Sequence, residues 1–219
     1  MTLPDFRLVR KRIDSEENLE IRMFLKALYL LGARVSEITG KVYESEGDTP
    51  YGPIGKDACD DYVQLGSQKV RVAFFNIKTL REGRKKDKRY IPPPRKIVVP
   101  FEFEPWTKDL FKYFERKGDH KVFDFARQDV LPMAQAKTFK ELWYPVKPYG
   151  TVEEHPKNLG LDILRKIRAV ELFKRYKFDI LDLKSYGIAK LRITGIPEEI
   201  IIGEDEEQFR KNYLEKLCK

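Results

Sequence analysis

The stretch LYLLGARVSEI, at residues 28–38, carries the strongest local signals in this chain. Its apolar first half predicts the end of a buried helix, and Gly32 is a residue type that commonly ends one. Asp14 followed by Glu17 has the form of a capping box that would begin this helix. The polar pair SE opens a second, shorter helix, so Arg34 is expected in the turn between the two.

A second arginine in a similarly apolar setting lies far downstream. Arg165 is part of DILRKIRAVEL, residues 162–172, in which apolar residues recur at helical spacing. Two separated arginines can clamp one phosphate through planar, bidentate hydrogen bonds. Arg34 and Arg165 therefore predict a phosphate-binding site of the kind that phosphoryl transfer requires.

The rest of the chain predicts further helices and one small sheet. Alternating apolar residues predict a strand at 69–79, and KIVVPF at 96–101 is its expected partner. Glycine and proline indicate irregular connections at 45–68 and 145–160. Further helices are predicted at 106–114, within 122–143 with a break near Pro132, at 161–173, at 179–186 and at 208–217.

These elements predict a mainly α fold with a small antiparallel β-sheet (α+β), built as one domain over residues 1–219 with a mobile C-terminal tail at 203–219. No apolar run approaches the roughly 18 residues of a membrane span, and the N-terminus lacks a signal-peptide segment. A cytoplasmic protein without a membrane partner is therefore expected. Cys59 and Cys218 match no metal-ligand or redox spacing, and only two histidines are present, so no metal site is expected.

Charge is the most informative part of the composition. The chain has 43 Lys and Arg against 35 Asp and Glu, a formal net charge of +8. The basic residues gather near the N-terminus, at 84–89 and along 165–177. Such patches favour a polyanion, most often nucleic acid. A solvated surface rich in Lys and Glu, as in many thermophile proteins, is an equal alternative on composition alone.

The order of these features resembles the catalytic domain of the tyrosine recombinases, also called the phage integrase family, over about residues 5–190. GARVSEI is similar to that family's first arginine box, and DILRKIRAVEL is similar to its second. NIKTLREGRKKDKRYIPPPRKIVVPF, residues 76–101, resembles the family's lysine-bearing β-hairpin, with Lys78 and Thr79 as its Lys-Thr pair. The resemblance implies a tyrosine-recombinase-like fold that acts on double-stranded DNA.

The resemblance also implies roles for particular residues. In the family, a tyrosine oxygen attacks a DNA phosphate, two arginines stabilise the transition state, and a lysine protonates the leaving 5′ oxygen. Arg34 and Arg165 would be the clamp and Lys78 the general acid. No cofactor is implied, because the phosphotyrosine keeps the energy of the broken bond. The residues expected to contact DNA are Arg84, Lys85, Lys86, Lys88, Arg89, Lys166 and Arg168. Three of them, Lys85, Lys86 and Lys88, are also alternatives to Lys78 as the general acid.

Simpler interpretations exist for the same residues. For Arg34, the alternative is an ordinary surface ion pair with Glu37 near a helix start. Arg165 lies in a crowded basic helix, so a solvated position or a contact with the DNA backbone competes with catalysis.

The chain departs from the family pattern at two positions that carry proton transfer. Asp162 stands where the second box has histidine or lysine; it can accept a proton but adds negative charge near a phosphate. Gly187 is followed by Ile188 where the third box has histidine or tryptophan, and isoleucine has no hydrogen-bonding side chain. Lys166 and Lys190 are the candidate replacement donors.

The nucleophile position also departs from the family. The family's tyrosine would fall near 195–201, where GIPEEII contains none. Tyr213 is the only later tyrosine and is therefore the candidate nucleophile, reaching its own site or that of a neighbour in a homo-oligomer on DNA. The alternative places Tyr213 on an ordinary amphipathic docking face with Phe209, Leu214 and Leu217. A separate N-terminal DNA-clamping domain is not expected.

Two principal functions follow from the sequence. The first is a site-specific recombinase or integrase, as in a mobile element, that breaks and rejoins DNA through a phosphotyrosyl intermediate. The second is a catalytically inactive DNA-binding relative that kept the basic cleft. The third and least favoured is a basic globular protein whose likeness to the family is accidental.

Overall fold

The computed structural model describes residues 3–47, 51–78, 83–85, 88–90, 95–146, 155–176, 214–215 and 218. Its helices are α1 (Phe6–Asp14), α2 (Leu19–Leu31), α3 (Val35–Thr39), α4 (Thr107–Lys117), α5 (Arg127–Met133) and α6 (Leu164–Tyr176). Its strands are β1 (Ala58–Leu65), β2 (Gln68–Ile77), β3 (Gly83–Lys85), β4 (Lys88–Tyr90), β5 (Arg95–Pro100), β6 (Trp143–Val146) and β7 (His155–Asn158). The mixture of helices and small antiparallel sheets confirms the α+β expectation at that level.

Helix α2 starts four residues later than the capping-box pattern predicts. Asn18 is its N-cap, and Oδ1 of Asn18 accepts the backbone N–H groups of Glu20 and Ile21 at 3.0 and 3.1 Å. Asp14 instead ends α1, a helix that the sequence did not predict. The predicted stop is confirmed: Gly32 closes α2 in the left-handed conformation with φ of 57°.

The three-stranded sheet has the order β1-β2-β5, and both pairings are antiparallel. The predicted partnership of β2 with β5 is confirmed, with Phe75 opposite Ile97. Strand β1 was predicted to be irregular. Its residues are largely exposed and include Asp60 and Asp61, so it lacks the alternation of apolar residues from which β2 was predicted. The β6–β7 pair likewise lies where an irregular stretch was expected, with Pro145 opposite Pro156.

Helix α2 is the centre of the core. It packs against α1, α4 and α6, and ten of its thirteen residues are buried. A chain of edge-to-face aromatic contacts joins it to the sheet: Phe24 to Phe123 at 5.5 Å, Phe123 to Phe114 at 6.3 Å, and Phe114 to Phe75 at 5.1 Å. This packing fixes the end of α2, and hence the turn that carries Arg34.

Two predicted features near the middle and end of the chain have different outcomes. The break near Pro132 takes the form of a change of helix type: Pro132 lies inside α5, which runs into a π-helical turn at Ala134–Thr138. The predicted helix at 179–186 lies outside the described residues. Across the described ranges, no helix combines the length and apolarity needed to cross a membrane.

Candidate functional site

Arg34 occupies the N-cap of α3, where its conformation is held by Glu37. The backbone N–H of Arg34 donates to Oε2 of Glu37 at 2.8 Å, and Nη1 of Arg34 lies 3.6 Å from Oε1 of the same carboxylate. The Glu37 side chain is buried, whereas that of Arg34 is 27% exposed. A guanidinium has five N–H groups, so one ion pair leaves donors for a ligand. The ion pair with Glu37, which the sequence offered as the simpler alternative to the clamp role of Arg34, is thus present and holds the arginine at the surface of the turn.

Asp162 and Arg165 lie at the start of α6. A 3₁₀ turn at Leu161–Ile163 runs directly into α6, so the two residues are three apart on one face. Arg165 is half-buried and Lys166 is exposed. Oδ2 of Asp162 lies 3.4 Å from Nη2 of Arg127, the first residue of α5. The sequence did not single out Arg127, since no box of the resemblance contains it.

Helix α5 links the two arginine segments. Its first residues dock on the chain after α3: the backbone N–H of Arg127 donates to the carbonyl of Lys41 at 3.3 Å, and that of Gln128 to Val42 at 3.2 Å. Helix α3, which Arg34 caps, also packs against α5. The side chain of Arg127, the first residue of α5, contacts Asp162, which lies three residues before Arg165. The structure therefore connects Arg34 and Arg165 through one short helix.

Lys78 follows the last residue of β2. Its side chain is 39% exposed, and Nζ lies 3.9 Å from Oδ2 of Asp57, a contact at the edge of ion-pair range. Asp57 also accepts the backbone N–H of Ile54 at 2.9 Å, which anchors the carboxylate independently of the lysine. Lys78 therefore stays accessible at the base of the hairpin that the resemblance describes.

Strands β3 and β4 form the small ribbon beyond Lys78. The register pairs Arg84 with Arg89 and Lys85 with Lys88, so the basic residues stand opposite one another along the ribbon. Lys86, between the strands, lies outside the described residues.

Arg168 does not take the position predicted for it. Its side chain is 0% exposed, so it offers no guanidinium to an external phosphate, and the prediction that it contacts DNA is wrong. The phase of α6 explains this. Leu164, Ile167 and Leu172 form the buried stripe of the helix, and the same face includes positions 168 and 171. Helical spacing in the sequence was sufficient to assign Arg168 to the interior.

Arg168 belongs to an interior ion cluster with Arg10, Glu104, Glu171 and Tyr29. Arg10 donates to Glu104 at 2.9 and 2.7 Å and to Glu171 at 2.7 and 3.0 Å. Nη1 of Arg168 donates to both carboxylates, at 3.1 and 2.5 Å, and the Tyr29 hydroxyl donates to Glu171 at 3.0 Å. Two guanidinium groups face two carboxylates, so the cluster is electrically neutral. We call these five residues the ion cluster.

The charges within the ion cluster reinforce one another. Burial alone would raise the pKa of Glu171, but the positive charges of Arg168 and Arg10 outweigh it and lower this pKa to about 2. Glu104 follows the same logic, and its pKa is also lowered. Burial, and then the charge of Glu171, raise the pKa of the Tyr29 hydroxyl. The two carboxylates therefore stay charged and the Tyr29 hydroxyl stays protonated near neutral pH, which suits a structural role.

The described part of the C-terminal tail is docked on the core. Leu214 is fully buried, and the backbone N–H of Cys218 donates to the carbonyl of Leu214 at 2.9 Å. Burial, and then the charge of Glu102, raise the pKa of the Cys218 thiol to about 11. Tyr213, the candidate nucleophile, lies outside the described residues.

Comparisons with other proteins supply no family for this chain. No family model matches it, and no curated protein or solved structure shows significant similarity. Within the described ranges, no group of three or more His, Cys, Asp or Glu side chains could hold a metal ion. The function of this chain is therefore inferred from the geometry of the residues above.

Proposed function

We propose that this protein binds double-stranded DNA and breaks and rejoins it as a tyrosine recombinase, with Arg34 and Arg165 as the phosphate clamp, Lys78 as general acid and Tyr213 as nucleophile. The DNA contacts are assigned to the β3–β4 ribbon and to Lys166. Binding and strand exchange are separate claims with separate supports.

The observation that carries DNA binding is the register of the β3–β4 ribbon. Arg84 faces Arg89 and Lys85 faces Lys88. Like charges directly opposite one another destabilise a strand pair, and a two-stranded ribbon alone is marginally stable in water. The negative charge of an anionic partner offsets this repulsion, and a DNA backbone supplies closely spaced phosphates for it.

The phosphate clamp is supported by the way its arginines are held. Glu37 fixes Arg34 through its backbone and keeps one side of its guanidinium occupied. Helix α5 joins this turn to the start of α6, where Arg165 lies half-buried. Arginines positioned before the ligand arrives can stabilise charge that develops on a phosphate oxygen at little reorganisation cost.

The second candidate function is DNA binding without catalysis. The pairing of Asp162 with Arg127 at 3.4 Å favours it, since an aspartate engaged with an arginine is a poor substitute for the histidine or lysine that assists proton transfer. The buried position of Leu214 also favours a docked terminal segment over a travelling nucleophile.

One experiment separates the two functions. The purified chain is incubated with a randomised library of nicked DNA duplexes, and adducts that survive denaturation are recovered and sequenced. Covalent adducts that disappear in Tyr213→Phe, and fall sharply in Arg34→Ala and Arg165→Ala, support the recombinase. Tyr62→Phe is the matched control, because Tyr62 is exposed on β1 and has no role in the proposal.

The other outcomes are equally informative. Salt-sensitive binding without an adduct selects the DNA-binding relative and removes the catalytic claim. A lack of binding at low salt contradicts both candidates, because phosphate contacts are strongest under those conditions.

A further inference from the structure

A groove between α2 and α4 lies outside the site described above. It has a volume of about 390 Å³, which falls within the range of small-molecule sites in proteins. Its walls hold two pairs of basic residues at helical i,i+4 spacing. These are Arg22 and Lys26 on α2, and Lys112 and Arg116 on α4. Each pair therefore lies on one face of its helix and lines the groove.

The acidic residues in this groove are directed to a single lysine. Nζ of the buried Lys26 lies 3.0 Å from Asp14 and 3.5 Å from Asp109, and it also lies 5.2 Å from the ring centroid of Trp106. Both carboxylates are therefore engaged with Lys26. This arrangement leaves the remaining basic residues of the groove without carboxylates of their own.

The remaining basic side chains keep their charge available. Nη1 of Arg22 donates to the backbone carbonyl of Glu16 at 2.7 Å, a neutral acceptor that orients the guanidinium without cancelling it. Lys112 and Arg116 are exposed, and among the described residues neither forms an ion pair. The groove thus combines three cations with net positive charge.

Tyr113 adds a hydrogen-bond donor between these cations. Its ring stacks on Phe123 at 5.6 Å with an angle of 22° between the planes. Burial, and then the charge of Glu20, raise the pKa of the Tyr113 hydroxyl to about 12. The hydroxyl therefore stays protonated at neutral pH and can donate to an anion.

The same groove has an apolar part. Leu19, the first residue of α2, is 47% exposed, and Met23, which lines the groove one turn further along the same helix, is largely buried with 5% exposed. An inorganic ion would leave this part unused, whereas an organic group attached to a phosphate would cover it. We infer that the α2–α4 groove binds the phosphate of a small organic phosphate ester, with Lys112, Arg116 and Arg22 around the phosphate. The ester's apolar portion then lies against Leu19 and Met23.

Calorimetric titration of the full chain with adenosine monophosphate, inorganic phosphate and a short DNA duplex tests this inference. Each of Lys112→Gln and Arg116→Gln should weaken binding of the nucleotide by about tenfold, the effect of losing one charge-assisted hydrogen bond. The matched control is Lys108→Gln, an exposed lysine on α4 that does not line the groove, and it should leave the affinity unchanged.

Four outcomes would overturn the inference. The first is that the nucleotide does not bind at millimolar concentration, and the second is that all three variants weaken its binding equally. The third is that inorganic phosphate binds as tightly as the nucleotide. The fourth is that Lys112→Gln and Arg116→Gln weaken binding of the DNA duplex but not of the nucleotide. The last would assign the groove to a DNA interface. Because neither residue belongs to the proposed DNA site, DNA adduct formation should be unaffected by these variants, so failure of one proposal leaves the other intact.

Discussion

Arg168 illustrates how one buried guanidinium differs from a surface one. It is fully buried and donates to both Glu104 and Glu171. Removing one partner from a buried ion cluster leaves uncompensated charge without water to solvate it. At the residue scale, the ion cluster is therefore where a single substitution should have its largest effect on stability.

We expect Arg168→Met to lower the free energy of unfolding by about 3–5 kcal/mol, because Arg10 is then the only largely buried arginine that the two buried carboxylates share among the described residues. Urea denaturation followed by circular dichroism measures this. Arg175→Met is the matched control: Arg175 also contacts Glu171, at 3.5 Å, but it is 46% exposed, so its loss should cost less than about 1 kcal/mol. Similar costs for both variants would show that the interior cluster contributes no more than a surface pair.

The acid sensitivity of the chain should follow from Glu171. Its folded-state pKa is about 2, below the ordinary value of 4.5, so the unfolded state binds the proton more readily. The stabilisation is complete above about pH 5 and is lost as pH falls toward 2, by at most about 3 kcal/mol from this group. Glu104, whose pKa is also lowered, contributes in the same direction.

Urea denaturation at several pH values between 6 and 2 checks this expectation. The free energy of unfolding of the native chain should fall steadily over that range. In Glu171→Gln, which starts from a lower value, the slope should be shallower because the titrating group is gone. An unchanged slope in the variant would assign the acid sensitivity to other carboxylates.

At the scale of elements, the end of α3 depends on a glycine. Gly40 closes α3 with φ of 77°, and a Cβ built on it would lie 2.1 Å from the carbonyl oxygen of Tyr51. The backbone at residues 51–52 therefore passes so close to Gly40 that any side chain there would clash with it. The position of Arg34 at the other end of this short helix depends on the same packing.

We expect Gly40→Ala to lower the free energy of unfolding by more than about 2 kcal/mol, since it combines a left-handed backbone with a steric clash. Gly66→Ala is the matched control. Gly66 has φ of 57° in the β1–β2 turn but nothing within 4 Å of a built Cβ, so only the backbone cost of about 1 kcal/mol applies. Thermal unfolding measures the stability of both variants. Equal losses of stability would mean that residues 51–52 can move away from an added Cβ without destabilising the protein.

Sequence patterns predicted those elements whose burial is periodic. Strand β2 alternates and α6 carries an apolar stripe, so both were found, and so was the pairing of β2 with β5. Strand β1 lies at the edge of the sheet and is largely exposed, so its apolar residues do not alternate with polar ones. Its sequence alone therefore could not predict that it pairs with β2. Asn18 and Asp14 are equally good caps in isolation, and only the presence of α1 decides between them.

The candidate site was predictable in part for the same reason. Local pattern located the turn of Arg34 and the first turn of α6, where Arg165 lies. Arg127 was missed because its contact with Asp162 spans 35 positions of the chain, and nothing local to either residue records it. The ion cluster was missed because its members lie on three helices and a loop, although the phase of α6 alone should have excluded Arg168 from the surface.

At the scale of the whole molecule, the ion cluster contributes nothing to the net charge. Its two arginines and two glutamates cancel, so the formal net charge of +8 lies entirely elsewhere in the chain. The location of that charge, rather than its total, should then determine how the protein meets a polyanion. In the β3–β4 ribbon, the register places four basic residues in two opposing pairs, Arg84 with Arg89 and Lys85 with Lys88.

Replacing Arg84, Lys85, Lys88 and Arg89 by Gln should therefore reduce the salt dependence of DNA binding. Each phosphate contact contributes about 0.9 to the slope of log K against log salt concentration, so the slope should fall by about 3–4. A control with the same loss of charge replaces four exposed lysines outside the proposed site, namely Lys69, Lys108, Lys140 and Lys157.

Fluorescence anisotropy on a labelled duplex from 50 to 300 mM salt measures the slope for both variants. If the control lowers the slope as much as the ribbon variant, the attraction depends on total charge and the ribbon is not the DNA contact. If only the ribbon variant lowers the slope, the ribbon is the DNA contact.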